Sequence, residues 1–128
     1  MALELNLQNK IAVITGASEG IGRAIALQFA REGIHLRLSA RSRDKLEAVK
    51  AACEKDHGVN VEIYPLDLSQ SADQLELSRQ TKDADIVVNN AGSIPKGKIH
   101  EITEDQWRAV WDLKVFGYIN LCREYYAY

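Results

Sequence analysis

Short apolar runs alternate with amphipathic stretches along this chain, in units of roughly thirty residues. The run Lys10 to Thr15 is apolar on both faces, which predicts a strand inside a parallel sheet. A helix is predicted from Gly20 to Arg31, with Gly33 placed to end it. From Ile34 to Ala40, Ile34, Leu36 and Leu38 alternate with His35, Arg37 and Ser39, the period of a second strand. The next helix runs from Arg43 to Asp56, with Ser42 as N-cap, Gly58 beyond its end and Leu46, Val49 and Cys53 as its inner stripe. Val59 to Pro65 predicts a third strand. Ser71 and Gln74 have the spacing of a capping box, opening a weaker helix to about Lys82. Asp85 to Asn89 predicts a fourth strand, and Gly92 to Glu101 an irregular segment broken by Pro95 and Gly97. The last helix starts at Thr103, with Gln106 completing a second capping box.

Strands alternating with helices imply an α/β fold, a doubly wound parallel sheet with right-handed crossovers. About four strands and their flanking helices fill residues 1–128, read as a single domain without repeat or linker. The formal charge of −2 carries no polybasic signal, which argues against nucleic acid and anionic membrane as partners. No apolar run approaches the roughly 20 residues that cross a bilayer. Met1 to Lys10 lacks the layout of a secretory signal, and Cys53 and Cys122 form no paired motif, so the expected compartment is the cytoplasm. His35, His57 and His100 are scattered, and no metal site is expected.

Chemistry gathers where the predicted strands end. Thr15-Gly-Ala-Ser-Glu-Gly-Ile-Gly22 joins the first strand to the first helix. Glycines there let the backbone turn tightly and approach a ligand, while the first amides of the helix lack internal partners and carry partial positive charge. A dinucleotide pyrophosphate fits such a junction. The other strands deliver Arg41, Asp67 and Asn89-Asn90-Ala91-Gly92 to the same edge of the sheet. Asp and Asn often end strands only to satisfy turn backbones. Together on one edge, these residues point to a nucleotide site.

The motifs TGASEGIG at 15–22, Asp67-Leu68 and NNAG at 89–92, in this order, resemble the short-chain dehydrogenase/reductase family from about Leu7 onward. The resemblance implies a Rossmann-fold oxidoreductase that moves a hydride between a nicotinamide cofactor and a carbonyl or alcohol substrate. It implies that Gly16, Ser18, Gly20, Ile21 and Gly22 cradle the pyrophosphate, and that Asp67 and Leu68 hold the adenine. Asn90, Ala91 and Gly92 would border the ribose and nicotinamide, with Asn89 stabilising the central strands.

An NAD site usually offers a carboxylate to the ribose 2′-hydroxyl at the end of the second strand. Here that place is held by Ala40, followed by Arg41, Ser42 and Arg43. A guanidinium binds a 2′-phosphate well, so the expected cofactor is NADP rather than NAD. Glu19 argues the other way, because NADP-using relatives commonly carry Lys or Arg at that point of the glycine turn.

The family's catalytic groups are a Ser, a Tyr, a Lys four residues after that Tyr, and an Asn in the preceding helix. The chain stops at Tyr128, before the segment that would carry the Ser and the Tyr-x-x-x-Lys pair. The expectation is therefore a cofactor-binding half that binds nucleotide without turning over alone. Lys114 stands at the Asn position. On a helical wheel it falls within an apolar stripe of Trp107, Trp111, Tyr118, Cys122 and Tyr125. It either reaches into the active-site crevice as part of a proton relay or extends along the stripe to solvent. In family members this helix often contributes to an oligomer interface, so homo-oligomerisation through it is expected. The competing reading is a non-catalytic nucleotide-binding or interaction module.

Overall fold

The computed structural model describes residues 3–128; Met1 and Ala2, the start of the segment read for a signal sequence, lie outside the described residues. Strands β1 (Ile11–Thr15), β2 (His35–Ala40), β3 (Val61–Pro65) and β4 (Ile86–Val88) are all parallel, in the order β3-β2-β1-β4. Helices α1 (Gly20–Arg31), α2 (Arg43–His57), α3 (Ser71–Gln80), α4 (Glu104–Trp111) and α5 (Gly117–Tyr126) connect or follow them. This is the doubly wound, Rossmann-type arrangement. After β3 the chain crosses to the other side of β1, so the strand order reverses between β1 and β4.

Alternation along β1 divides the interior in two. Ala12 and Ile14 enter a core with Ala26 and Ala30 of α1, Leu36 and Leu38 of β2, and Leu46, Val49 and Cys53 of α2. Val13 points the other way, to Leu68, Leu77 of α3 and Leu121 of α5. Burial pushes the Cys53 thiol above its ordinary pKa. One charged side chain sits in the sheet itself: Arg37 of β2 is buried and lies 3.3 Å from both Glu62 and Asp83. No helix among the described residues is long and apolar enough to cross a membrane.

Two local expectations are corrected. Ser71 does not cap α3: the N-cap is Gln70, with no side-chain bond. Gln74 is buried instead, donating to the Leu68 carbonyl at 2.9 Å and accepting from Asn120 of α5 at 2.8 Å. α3 also ends at Gln80, where the Thr81 hydroxyl folds back onto the Leu77 carbonyl at 2.6 Å. The second correction concerns the last helix. Asp112–Phe116 forms a π-helical turn between α4 and α5, which inserts a residue and rotates everything beyond it. The anticipated stripe is broken: Trp107 and Trp111 are exposed, and Leu113, Leu121 and Tyr125 do the packing.

Candidate functional site

Open parallel sheets bind ligands outside the carboxyl ends of their strands, where the strand order reverses. In this fold that point lies between β1 and β4, and both ends are tied through Thr15. Its buried hydroxyl accepts from the backbone amides of Asn90 and Ala91, each at 2.9 Å, and donates to the Val88 carbonyl at 3.4 Å. The Asn90 side-chain amide donates to the carbonyls of Thr15 at 3.1 Å and Gly16 at 3.2 Å. Asn90 thus braces the glycine turn from across the sheet. Asn89, expected to stabilise the central strands, donates to Cys122 Sγ of α5 at 3.3 Å.

The turn has no room for side chains on its inner surface. A Cβ at Gly22 would lie 2.2 Å from the Gly16 carbonyl oxygen, and one at Gly16 would lie 2.9 Å from the Ala91 Cα. Gly16 also has φ of 64°, a left-handed conformation that glycine adopts at no steric cost and most side chains disfavour. Gly20 has a positive φ too, but a Cβ there would meet nothing within 4 Å. Outward, then, the turn is open. Ser18 is half-buried within it, and Ile21 is exposed on the first turn of α1. Glu19, the N-cap of α1, makes no side-chain capping bond, which leaves the first amides of the helix free to meet an anion. By contrast, Ser42 caps α2, accepting from the Lys45 amide at 3.4 Å, and Thr103 with Gln106 closes a full capping box on α4.

Next to the glycine turn stands the end of β2. The Ala17 amide donates to the Ser39 carbonyl at 3.2 Å, tying the two segments together. Arg41 is exposed, and Ser42 is half-buried behind it. The Glu19 carboxylate pairs with the Lys45 ammonium of α2 at 3.0 Å.

Beyond β3, the Asp67 carboxylate accepts from the Ser69 hydroxyl at 2.7 Å and the Ser69 amide at 3.0 Å. The Ser69 hydroxyl bond outweighs partial desolvation and, with the Ser69 amide and the Arg41 charge, holds this carboxyl below its ordinary pKa. The Asp67 amide donates in turn to the Asp73 carboxylate at 2.8 Å. Leu68 is buried in the core, so only its backbone faces the turn. Gly117 allows α5 to approach this corner, since a Cβ there would stand 3.0 Å from the Leu68 carbonyl oxygen.

On the far side of the crevice, Ala91 is half-buried and Gly92 exposed. The Lys114 stem crosses Gly92: a Cβ on that glycine would stand 3.6 Å from Lys114 Cδ. The π-helical turn carries Lys114 to this place. Among the described residues, no cluster of His, Cys, Asp or Glu could hold a metal ion.

Sequence reasoning missed four contributors. In the sequence Thr15 reads as a strand end, not as the hub of β1 and β4. Gln74 reads as part of a cap, and Gly117 and Lys45 carry no motif. For Lys45 a signal existed: a cation three residues after the Ser42 cap, on the side of Arg41 and Arg43.

Over residues 10–128 the chain matches the short chain dehydrogenase family, and it belongs to that family. It is 34% identical over 126 residues to 2,3-dihydro-2,3-dihydroxybenzoate dehydrogenase of Bacillus subtilis, covering 95% of this chain and 48% of that one. It is 37% identical over 122 residues to the fatty acyl-CoA reductase of Acinetobacter baylyi, covering 91% of this chain and 41% of the relative. Among solved structures, it resembles L-sorbose reductase from Gluconobacter frateurii complexed with NADPH and L-sorbose. That match has a TM-score of 0.90 at 34% identity, over 95% of this chain and 48% of the reductase. The alcohol dehydrogenase of the archaeon Thermococcus sibiricus, complexed with 5-hydroxy-NADP, matches with a TM-score of 0.87 at 34% identity, over 94% and 53% of the two chains. The chain thus spans about half the length of the curated relatives it matches.

Proposed function

We propose that these residues form the NADP-binding half of a cytoplasmic oxidoreductase that moves a hydride between the cofactor and a carbonyl or alcohol substrate. One observation carries the reading. The uncapped amide end of α1 is held against a turn whose inner surface at Gly16 and Gly22 admits no side chain and which Asn90 braces, with Arg41 and no carboxylate at the adjoining end of β2. The residues fit the cofactor: Gly16, Ser18, Gly20, Ile21 and Gly22 offer backbone to a pyrophosphate, and Arg41 with Ser42 meets a 2′-phosphate. Asp67 and the Leu68 backbone border the adenine, while Ala91 and Gly92 line the way to the nicotinamide. When bound, the nicotinamide ring supplies or accepts the hydride. Lys114, lying across Gly92, brings a positive charge to the crevice and takes part in proton transfer there. NADPH and 5-hydroxy-NADP in the two solved relatives support the cofactor assignment.

Titrating tryptophan fluorescence with NADPH and NADH tests the proposal. NADPH binds more tightly, and Arg41→Ala removes that preference. A charge-assisted hydrogen bond of roughly 1.5–3 kcal/mol corresponds to a loss of about tenfold or more for NADPH alone. Lys114→Met leaves both affinities of this chain unchanged; the same replacement in a full-length relative lowers turnover, and unchanged turnover there would remove the proton-transfer role. Failure to bind either nucleotide would favour the interaction module.

A further inference from the structure

Glu19 is a carboxylate where an anion is to be bound, and its surroundings explain how it is tolerated. Its partner Lys45 is the third residue of α2, the helix whose N-cap, Ser42, adjoins Arg41. The Ala17–Ser39 backbone bond fastens the glycine turn to the end of β2, and the 3.0 Å Glu19–Lys45 pair fastens it to the first turn of α2. Glu19 therefore lies within the reach of one lysine side chain from the Arg41-Ser42 corner. Both partners are largely exposed, with side-chain exposures of 74% for Glu19 and 57% for Lys45, so the pair adds little to stability. Its consequence is electrostatic. Arg41, Arg43, Asp44 and Lys45 follow β2 in sequence, and Lys45 pairs with the carboxylate of the glycine turn.

We propose that Lys45 is a specificity-setting positioning residue: by masking Glu19 it keeps the corner attractive to a 2′-phosphorylated adenosine and so sets the preference for NADP over NAD. This rests on the nucleotide reading given above. Without Lys45 the unmasked Glu19 carboxylate repels a dianionic 2′-phosphate, whereas the uncharged 2′-hydroxyl of NADH is not repelled by it. At surface dielectric the repulsion corresponds to about a five- to tenfold loss of affinity.

The test is a two-residue cycle on the same chain, with dissociation constants for NADPH and NADH measured at low ionic strength. Lys45→Met weakens NADPH by about five- to tenfold and NADH by less than about twofold. Lys45→Arg keeps the preference. Adding Glu19→Gln to Lys45→Met restores NADPH binding, and raising the salt narrows the Lys45→Met deficit. An equal loss for both nucleotides, an unchanged ratio, or a double variant no better than Lys45→Met would overturn the inference. If the unsubstituted chain prefers NADPH and Lys45→Met keeps the same NADPH-to-NADH ratio, this inference fails alone. A chain that binds neither nucleotide overturns the pocket reading and this inference with it.

Discussion

Thr15 shows how much one buried hydroxyl can decide. It serves two part-buried backbone amides just beyond β4, and it does so from the last position of β1. Thr15→Val keeps the shape but orphans both donors, at roughly 1–3 kcal/mol for each group. A fall of about 2–4 kcal/mol in unfolding free energy is expected from urea denaturation, with Thr15→Ser keeping most of the loss away. A change under about 0.5 kcal/mol would mean that water reaches those amides. Threonine at a strand end looked ordinary in the sequence, because its partners lie 75 and 76 residues away.

Among the elements, the helix starts divide the labour. α2 and α4 close their own N-termini with Ser42 and with Thr103 and Gln106, whereas α1 leaves its amides open. Caps made within four residues were legible; Ser71 was misread because Gln74 turned inward to the Leu68 carbonyl. The turn between β3 and α3 carries its own pH signature. The Asp67 carboxyl has a lowered folded pKa, so its stabilising contribution is complete above the unfolded value and is lost as pH falls through the folded one. Urea midpoints of the unsubstituted chain and Asp67→Asn, compared from pH 7 downward, should converge below about pH 4. Parallel curves across that range would show that the Ser69 bonds do not favour the charged form.

At the scale of the whole molecule, one core lies on each face of the sheet, but several apolar side chains of the last helices stay exposed. Trp111 is 54% exposed, Phe116 52% and Ile119 48%, all close to the π-helical turn. Exposed apolar patches of this kind commonly meet another protein. We expect self-association through this patch, visible by sedimentation, with Trp111→Glu and Phe116→Glu together lowering the sedimenting mass; a monomer at all concentrations would refute this. Tyr125 lies on the other side, where burial pushes its hydroxyl up to about 12 although the bond to Thr81 opposes that shift.

The sequence by itself determined the alternation of strands and helices, the parallel sheet and the edge where the polar residues collect. Those features follow from periodicity and from contacts a few residues apart. Only the tertiary structure decided that Asn90 braces the glycine turn, that Lys45 answers Glu19, and that the last helix breaks its stripe at Asp112–Phe116. The partners in those contacts are brought together by packing across the sheet or between helices, and no local pattern encodes such pairings.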